Sequence, residues 1–194
     1  MKPRLLFISS RPLYPIVGGD QIRTVQQLNF LKKTFTVDVL YLSPNDEDLQ
    51  YNDSYEGVEK IYRFKVGKNK SHIQTLRFLF NRLPLQVNYY YNRKVAKKIK
   101  SVISQYEYVF CNNIRTAEYV RRLRKREIIK YLDFVDAISM NYDKARYEAK
   151  GIKRLIYVID YYRCKRYEQK CLQEFDSCAV ISEIDRQYIL SCQD

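Results

Sequence analysis

An α/β fold is expected, with a Rossmann-like, doubly wound, mainly parallel sheet and helices on both faces. Three observations lead there. Short apolar runs of strand length alternate with longer segments of helical period along the 194 residues. The first strand, helix and second strand fit into roughly 40 residues, the size of a βαβ unit. The first run, Leu5 to Ile8, is apolar without alternation, as in a strand buried on both faces.

Each element has a local reason. Arg4 to Ser9 reads as a buried strand. A helix is expected from Asp20 to Lys33, with Asp20 as its N-cap and Ile22, Val25, Leu28 and Leu31 on one face. Thr36 to Leu42 is rich in β-branched and aromatic residues and forms the second strand. Ser43 to Tyr55 is a polar loop or a short capped helix, and Val58 to Val66 is a third strand. Lys68 to Asn92 is basic and aromatic. Arg93 to Gln105 is amphipathic, with Val95, Ile99, Val102 and Ile103 inward. Tyr108 to Cys111 is strand four, Thr116 to Lys125 a helix with a basic face, and Ile128 to Leu132 strand five. Asp136 to Glu148 and Ile152 to Glu174 are helical in pattern. Ser177 to Ile181 is strand six, and Ser182 or Glu183 caps a last helix. With neither repeats nor a low-complexity linker, residues 1–194 are expected to be one domain. The chain closes at Asp194 soon after strand six, as if a further domain followed.

Composition bounds the function. A net charge of +13 predicts an anionic partner: nucleic acid, an acidic membrane surface or a phosphorylated substrate. Five cysteines without a CxxC pair, beside one histidine, exclude zinc-ligand spacing and point to free thiols in a reducing cytoplasm. Cys164 and Cys171 lie one heptad apart and share a helix face as small buried residues. No apolar run reaches the length of a membrane span. A cytoplasmic protein is expected, with any membrane contact peripheral.

The stretch from Ile8 to Arg23 carries the first candidate site. A strand stops, a loop bracketed by Pro12 and Pro15 follows, and Gly18-Gly19 open a helix. Free N–H groups and the positive dipole end suit an anion such as a sugar diphosphate, and glycines allow close approach. The same pair also serves a tight turn. The dinucleotide fingerprint GxGxxG is absent, which argues against a dehydrogenase-type cofactor. Asp46-Glu47-Asp48 matches a metal-holding DxD pattern, but acidic residues in such polar loops mostly cap helices and stay solvated. His72 has no nucleophile motif beside it. The segment Tyr131 to Ser139 runs from a strand into a helix, so Asp133 and Asp136 fall at the carboxyl end of the sheet, where doubly wound folds bind ligands. Asp136 equally suits an N-cap, with Ser139 in the first turn. Basic runs at Arg121 to Arg126 and at Lys94, Lys97, Lys98 and Lys100 are solvated helix faces. Together with Tyr89 to Tyr91 and Phe78 to Phe80, they alternatively form a surface for anionic lipid or a lipid-linked phosphate.

These residues resemble a family. Ser-Arg-Pro-Leu-Tyr-Pro, then Gly-Gly-Asp and Ile-Arg, is similar to the amino-terminal half of glycosyltransferase family 4 enzymes with the GT-B fold. Leu83 to Gln86 leading into Tyr89 to Tyr91, the segment Tyr131 to Ser139, and Tyr167-Glu168 through Phe175-Asp176 to Val180 to Glu183 resemble its exopolysaccharide-associated branch. The resemblance implies retaining transfer of a sugar from a nucleotide-sugar to a glycan or lipid-linked acceptor, with no cofactor and no obligatory metal. It implies an acceptor-binding amino-terminal domain facing a second domain that holds the nucleotide and is absent here, so this chain alone would be inactive. Gly18 and Gly19 match the loop that approaches the donor diphosphate, and Asp20 and Arg23 follow it. Arg11, in the same loop, is a cleft candidate. Where many members have a histidine after strand four, this chain has Cys111-Asn112-Asn113, so Asn112 becomes the cleft candidate. Asp133, Asp136 and Ser139 match positions of the branch pattern. No catalytic residue is assigned. Two other classes stay open: a basic α/β nucleic-acid-binding module, though no nucleic-acid motif is present, and a stand-alone nucleotide-binding protein.

Overall fold

The computed structural model describes residues 2–67, 75–123 and 128–191. Six parallel strands form one sheet in the order β3-β2-β1-β4-β5-β6. They are β1 (Arg4–Ser9), β2 (Thr36–Ser43), β3 (Lys60–Lys65), β4 (Tyr108–Asn112), β5 (Ile129–Val135) and β6 (Ser177–Val180). The helices are α1 (Gly19–Thr34), α2 (Leu85–Tyr90), α3 (Arg93–Val102), α4 (Ile114–Ala117), α5 (Ile138–Glu148), α6 (Gly151–Glu174) and α7 (Glu183–Leu190). Short 3-10 segments cover Glu47–Tyr55, Leu76–Phe80 and Ile103–Gln105. The expected α/β doubly wound architecture is observed.

Strand alternation sorts the core into two layers. Leu5, Phe7, Val37 and Val39 pack with Val25 and Leu28 of α1. Leu6, Ile8, Leu40, Val109 and Leu132 point the other way, onto Val95, Ile99 and Val102 of α3 and Cys164, Tyr167 and Cys171 of α6. The two cysteines of α6 are buried free thiols, as their spacing predicts.

Local differences have physical reasons. Ile22 of α1 stays exposed, while Thr24 is buried instead and donates its hydroxyl to the Asp20 carbonyl at 2.7 Å. Asp20 is not the N-cap. That place falls to Gly18 in extended conformation, and Asp20 sits in the first turn, where a carboxylate favours the dipole. The basic helix expected from Thr116 to Lys125 is one short turn, α4, followed by turns to residue 123. Within those turns Arg121 does not lie on a solvated face. It is buried, ion-paired to Glu118 at 3.0 Å and to Glu174 at 2.5 Å, and packed on the Tyr167 ring. Ser182 caps α7 by accepting the Asp185 N–H at 3.1 Å. No helix among the described residues is long and apolar enough to cross a membrane.

Candidate functional site

The strand order reverses direction between β1 and β4, and the loops after β1, β2, β4 and β5 meet at the carboxyl edge there. Two parts of this edge behave differently: one is tied shut and the other is open.

The closed part joins α1 to the ends of β4 and β5. The buried Asp133 carboxylate accepts from Nε and Nη2 of Arg23, both at 3.1 Å, and from the side-chain amide of Gln27. Its Oδ1 also accepts the Val135 N–H at 3.1 Å. Asn112, at the end of β4, donates from its amide to the Thr24 hydroxyl at 3.1 Å. Arg23 and Asp133 are thus brought together as partners, while Asn112, the register neighbour of Asp133, is held by Thr24. Both strands end in unusual backbone: Asn113 has φ 71° and Val135 has φ 70°. A β-branched residue at positive φ is strained, and such strain gathers at sites that a ligand uses. The Asp133 carboxylate holds the bulge that carries Val135.

The open part is a cavity of about 390 Å³ above β1 and β2. Its walls come from the loop after β1 (Arg11, Tyr14), the loop after β2 (Ser43, Asn45) and Tyr89 with Tyr90 of α2. Val17 and Gln21, which also line it, flank Gly18-Gly19. Gln21 ties the loop down: its side chain accepts the Val17 N–H and donates to the carbonyls of Pro12 and Pro15. Gly19 is exposed, and an added Cβ there would meet nothing within 4 Å. Gly18, in extended backbone, would bring a Cβ within 3.3 Å of the Asp20 carboxylate. Arg11 pairs with Asp20 across the mouth, both side chains being partly exposed at 40% and 48%. Burial pushes the Arg11 ionisation down, and the nearby charge of Arg115 adds to this.

Asp136 and Ser139 lie apart from that cavity. Asp136 accepts from the Asn141 side chain at 2.7 Å and does not cap α5, whose N-cap is Ala137. Ser139 is fully buried and gives both its N–H and its hydroxyl to Glu168 of α6. Burial raises the Glu168 carboxyl to about 7, against the two Ser139 bonds. Asp160, which accepts the Leu85 N–H at the start of α2, is likewise raised by burial, to about 6. Both groups hold protons in the folded state that the unfolded chain releases, so stability falls as pH rises through that interval. Between pH 4.5 and about 7 the Glu168 contribution declines by about 3 kcal/mol. Glu168→Gln keeps an acceptor for the Ser139 N–H and does not titrate. Urea unfolding from pH 5 to 8 should show a flatter pH dependence for this variant than for the wild type.

The acidic motif after β2 is occupied internally. Arg63 binds Asp48 through Nε at 2.7 Å and Asp46 through Nη2 at 2.9 Å, and Lys65 also pairs with Asp46. Tyr41 and Ser43 donate hydroxyls to the buried Asp48, whose carboxyl is held well below the usual range despite burial, chiefly by Arg63. Among the described residues no cluster of three His, Cys, Asp or Glu is arranged to hold a metal. His72 and residues 124–126 of the basic run lie outside the described residues.

Sequence reasoning missed Arg115, Gln86 and the buried acids Asp160 and Glu168. One signal was available for Arg115. It stands three residues beyond the end of β4, inside the segment that a doubly wound sheet presents to a ligand.

No family model matches this chain, and no curated protein matches it. Solved structures align with it, one of those reported at a TM-score above 0.5. The N-terminal domain of Candida albicans trehalose-6-phosphate phosphatase aligns with a TM-score of 0.54 and 12% identity over 99% of this chain and 43% of that one. TubZ of Clostridium botulinum phage c-st aligns at 0.47 and 10% identity, over 98% of this chain and 58% of that one. TcCGT1 in complex with UDP aligns at 0.44 and 13% identity, over 78% of this chain and 33% of that one. The chain therefore spans between a third and three fifths of the length of these structures. At such identity the likeness concerns the fold.

Proposed function

We propose that this chain is the amino-terminal, acceptor-binding half of a GT-B glycosyltransferase. It would serve retaining transfer of a sugar from a nucleotide-sugar to a glycan or lipid-linked acceptor in cell-surface polysaccharide assembly. One observation carries the reading: the cavity above β1 and β2, whose wall includes Val17 and Gln21 on either side of the glycine-led start of α1. The doubly wound strand order supports it, since such sheets bind ligands at this edge.

The chemistry follows from the charges. Departure of a nucleoside diphosphate builds negative charge, and a preorganised helix terminus stabilises it. Gly19 leaves the backbone there open. Arg11 adds a cation, and its pairing with Asp20 keeps that cation at the mouth until an anion competes for it. A second domain facing this edge would supply most of the nucleotide contacts. Exposed Lys94, Lys97 and Lys100 on α3 and Phe80, which is 88% exposed, suit peripheral contact with the inner face of an anionic membrane.

The test is to give the intact protein a panel of nucleotide-sugars with and without a lipid-linked glycan acceptor. The expected result is release of nucleoside diphosphate that depends on the acceptor. No release from any donor, together with salt-sensitive binding of duplex DNA, would favour a nucleic-acid module instead.

A further inference from the structure

A second cavity, of about 400 Å³, adjoins the first. Tyr89 and Tyr90 line both and form the shelf between them. Arg11 stands in the wall of the first cavity and Arg115 in the wall of the second. We propose that Arg11 and Arg115 clamp a phosphate or diphosphate carried by the acceptor, on the shelf made by Tyr89 and Tyr90.

The local structure sets Arg115 in place. Asn113, at φ 71°, accepts the Arg115 N–H at 3.2 Å and so starts the short turn of α4. The Arg115 guanidinium lies 5.1 Å from the centre of the Tyr90 ring, and its Nε donates to Gln86 at 2.8 Å. Ring and amide hold it by one edge. Its Nη groups make no hydrogen bond, and no carboxylate pairs with it, among the described residues. Arg11 is close enough for the Arg115 charge to depress its ionisation. Arg11 faces Asp20, and the first cavity is also lined by Glu47 and by Asp48, the latter neutralised by Arg63, so the positive charge is least offset on the Arg115 side. A planar fork of donors over an aromatic shelf recognises phosphate oxygens well.

The position also separates two anions. Arg11 reaches the α1 terminus through Asp20 and shares the wall of the first cavity with Tyr90. A donor diphosphate at Gly18-Gly19 and an acceptor phosphate at Arg115 would then flank the cavity from two sides. Tyr14, Leu42 and Val66 offer the apolar surface that a sugar ring or a lipid chain attached to that phosphate would cover. The inference rests on the glycosyltransferase reading for the acceptor, and on the two adjoining cavities and the Arg115 contacts for the anion site.

The experiment is calorimetric titration of the intact protein with inorganic pyrophosphate, compared across four variants whose melting curves match the wild type. Arg115→Gln should weaken binding at least tenfold, and Arg115→Lys should restore part of it. Arg122→Gln, which alters an exposed arginine paired only to Glu118, should bind as the wild type does. Wild-type affinity in Arg115→Gln, or equal losses in Arg115→Gln and Arg122→Gln, overturns the clamp. Loss in Gly19→Val alone also overturns it, while leaving the donor loop standing. A second arm separates the sources of the phosphate. Sedimentation with phosphatidylcholine vesicles that requires added phosphatidic acid and Arg115 marks a lipid-borne phosphate, whereas Arg115-dependent pyrophosphate binding without it marks a soluble one.

Discussion

Asp133→Ala should lower the stability of this protein by about 3 kcal/mol, a fall in melting temperature of roughly 10 °C for a chain of this size. The carboxylate is fully buried and meets Arg23, Gln27 and the Val135 N–H at once. Removing it leaves a half-buried guanidinium and a buried amide without their acceptor, and an unmet buried donor costs more than the lost bond. It also frees the bulge at the end of β5, where Val135 is held at φ 70°. Asp133→Asn keeps the shape and one oxygen, so it should lose about half as much. Chemical unfolding of the two variants beside the wild type checks the order. If Asp133→Ala unfolds like the wild type while transfer is lost, the carboxylate serves a ligand rather than the α1–β5 junction.

That result would also mark where reading a sequence stops. Asp133 and Arg23 were both legible as residues at the carboxyl edge, because their places at the end of a strand and the start of a helix follow from local pattern. Their pairing was not legible, since 110 residues separate them and no local rule links them. Ser139 shows the same limit. Its place in the first turn of α5 is local, but its partner Glu168 lies on another helix.

The sheet was legible for a physical reason. Strands buried on both faces are mostly apolar, so β1, β2, β4 and β5 stand out from their amphipathic neighbours even though Asp38, Lys130 and Asp133 are buried within them. The short α4 was not, because a run of arginines on a surface helix and a run containing one buried arginine look alike until Glu118 and Glu174 are in place. Helix ends carried a similar ambiguity. Asp20 has the chemistry of an N-cap, yet the extended Gly18 takes that role, which turns the Asp20 carboxylate toward Arg11.

Gly19→Val bears on function more than any other single change at this site. The fold should tolerate it: a Cβ at Gly19 meets nothing, and the residue lies in the exposed first turn of α1. The cost in stability should therefore stay within about 1 kcal/mol, near the usual limit for surface changes. The cost in transfer should be large, because the added methyl groups cover the backbone N–H groups that would meet the departing diphosphate. Losing one such preorganised contact typically removes a hundredfold or more in rate. The decisive measurement is the initial rate of acceptor-dependent sugar transfer by intact wild-type protein and by Gly19→Val, with melting curves recorded on the same samples. The account predicts matching melting curves and a rate lowered at least about a hundredfold. Matching melting curves with an unchanged rate would contradict it.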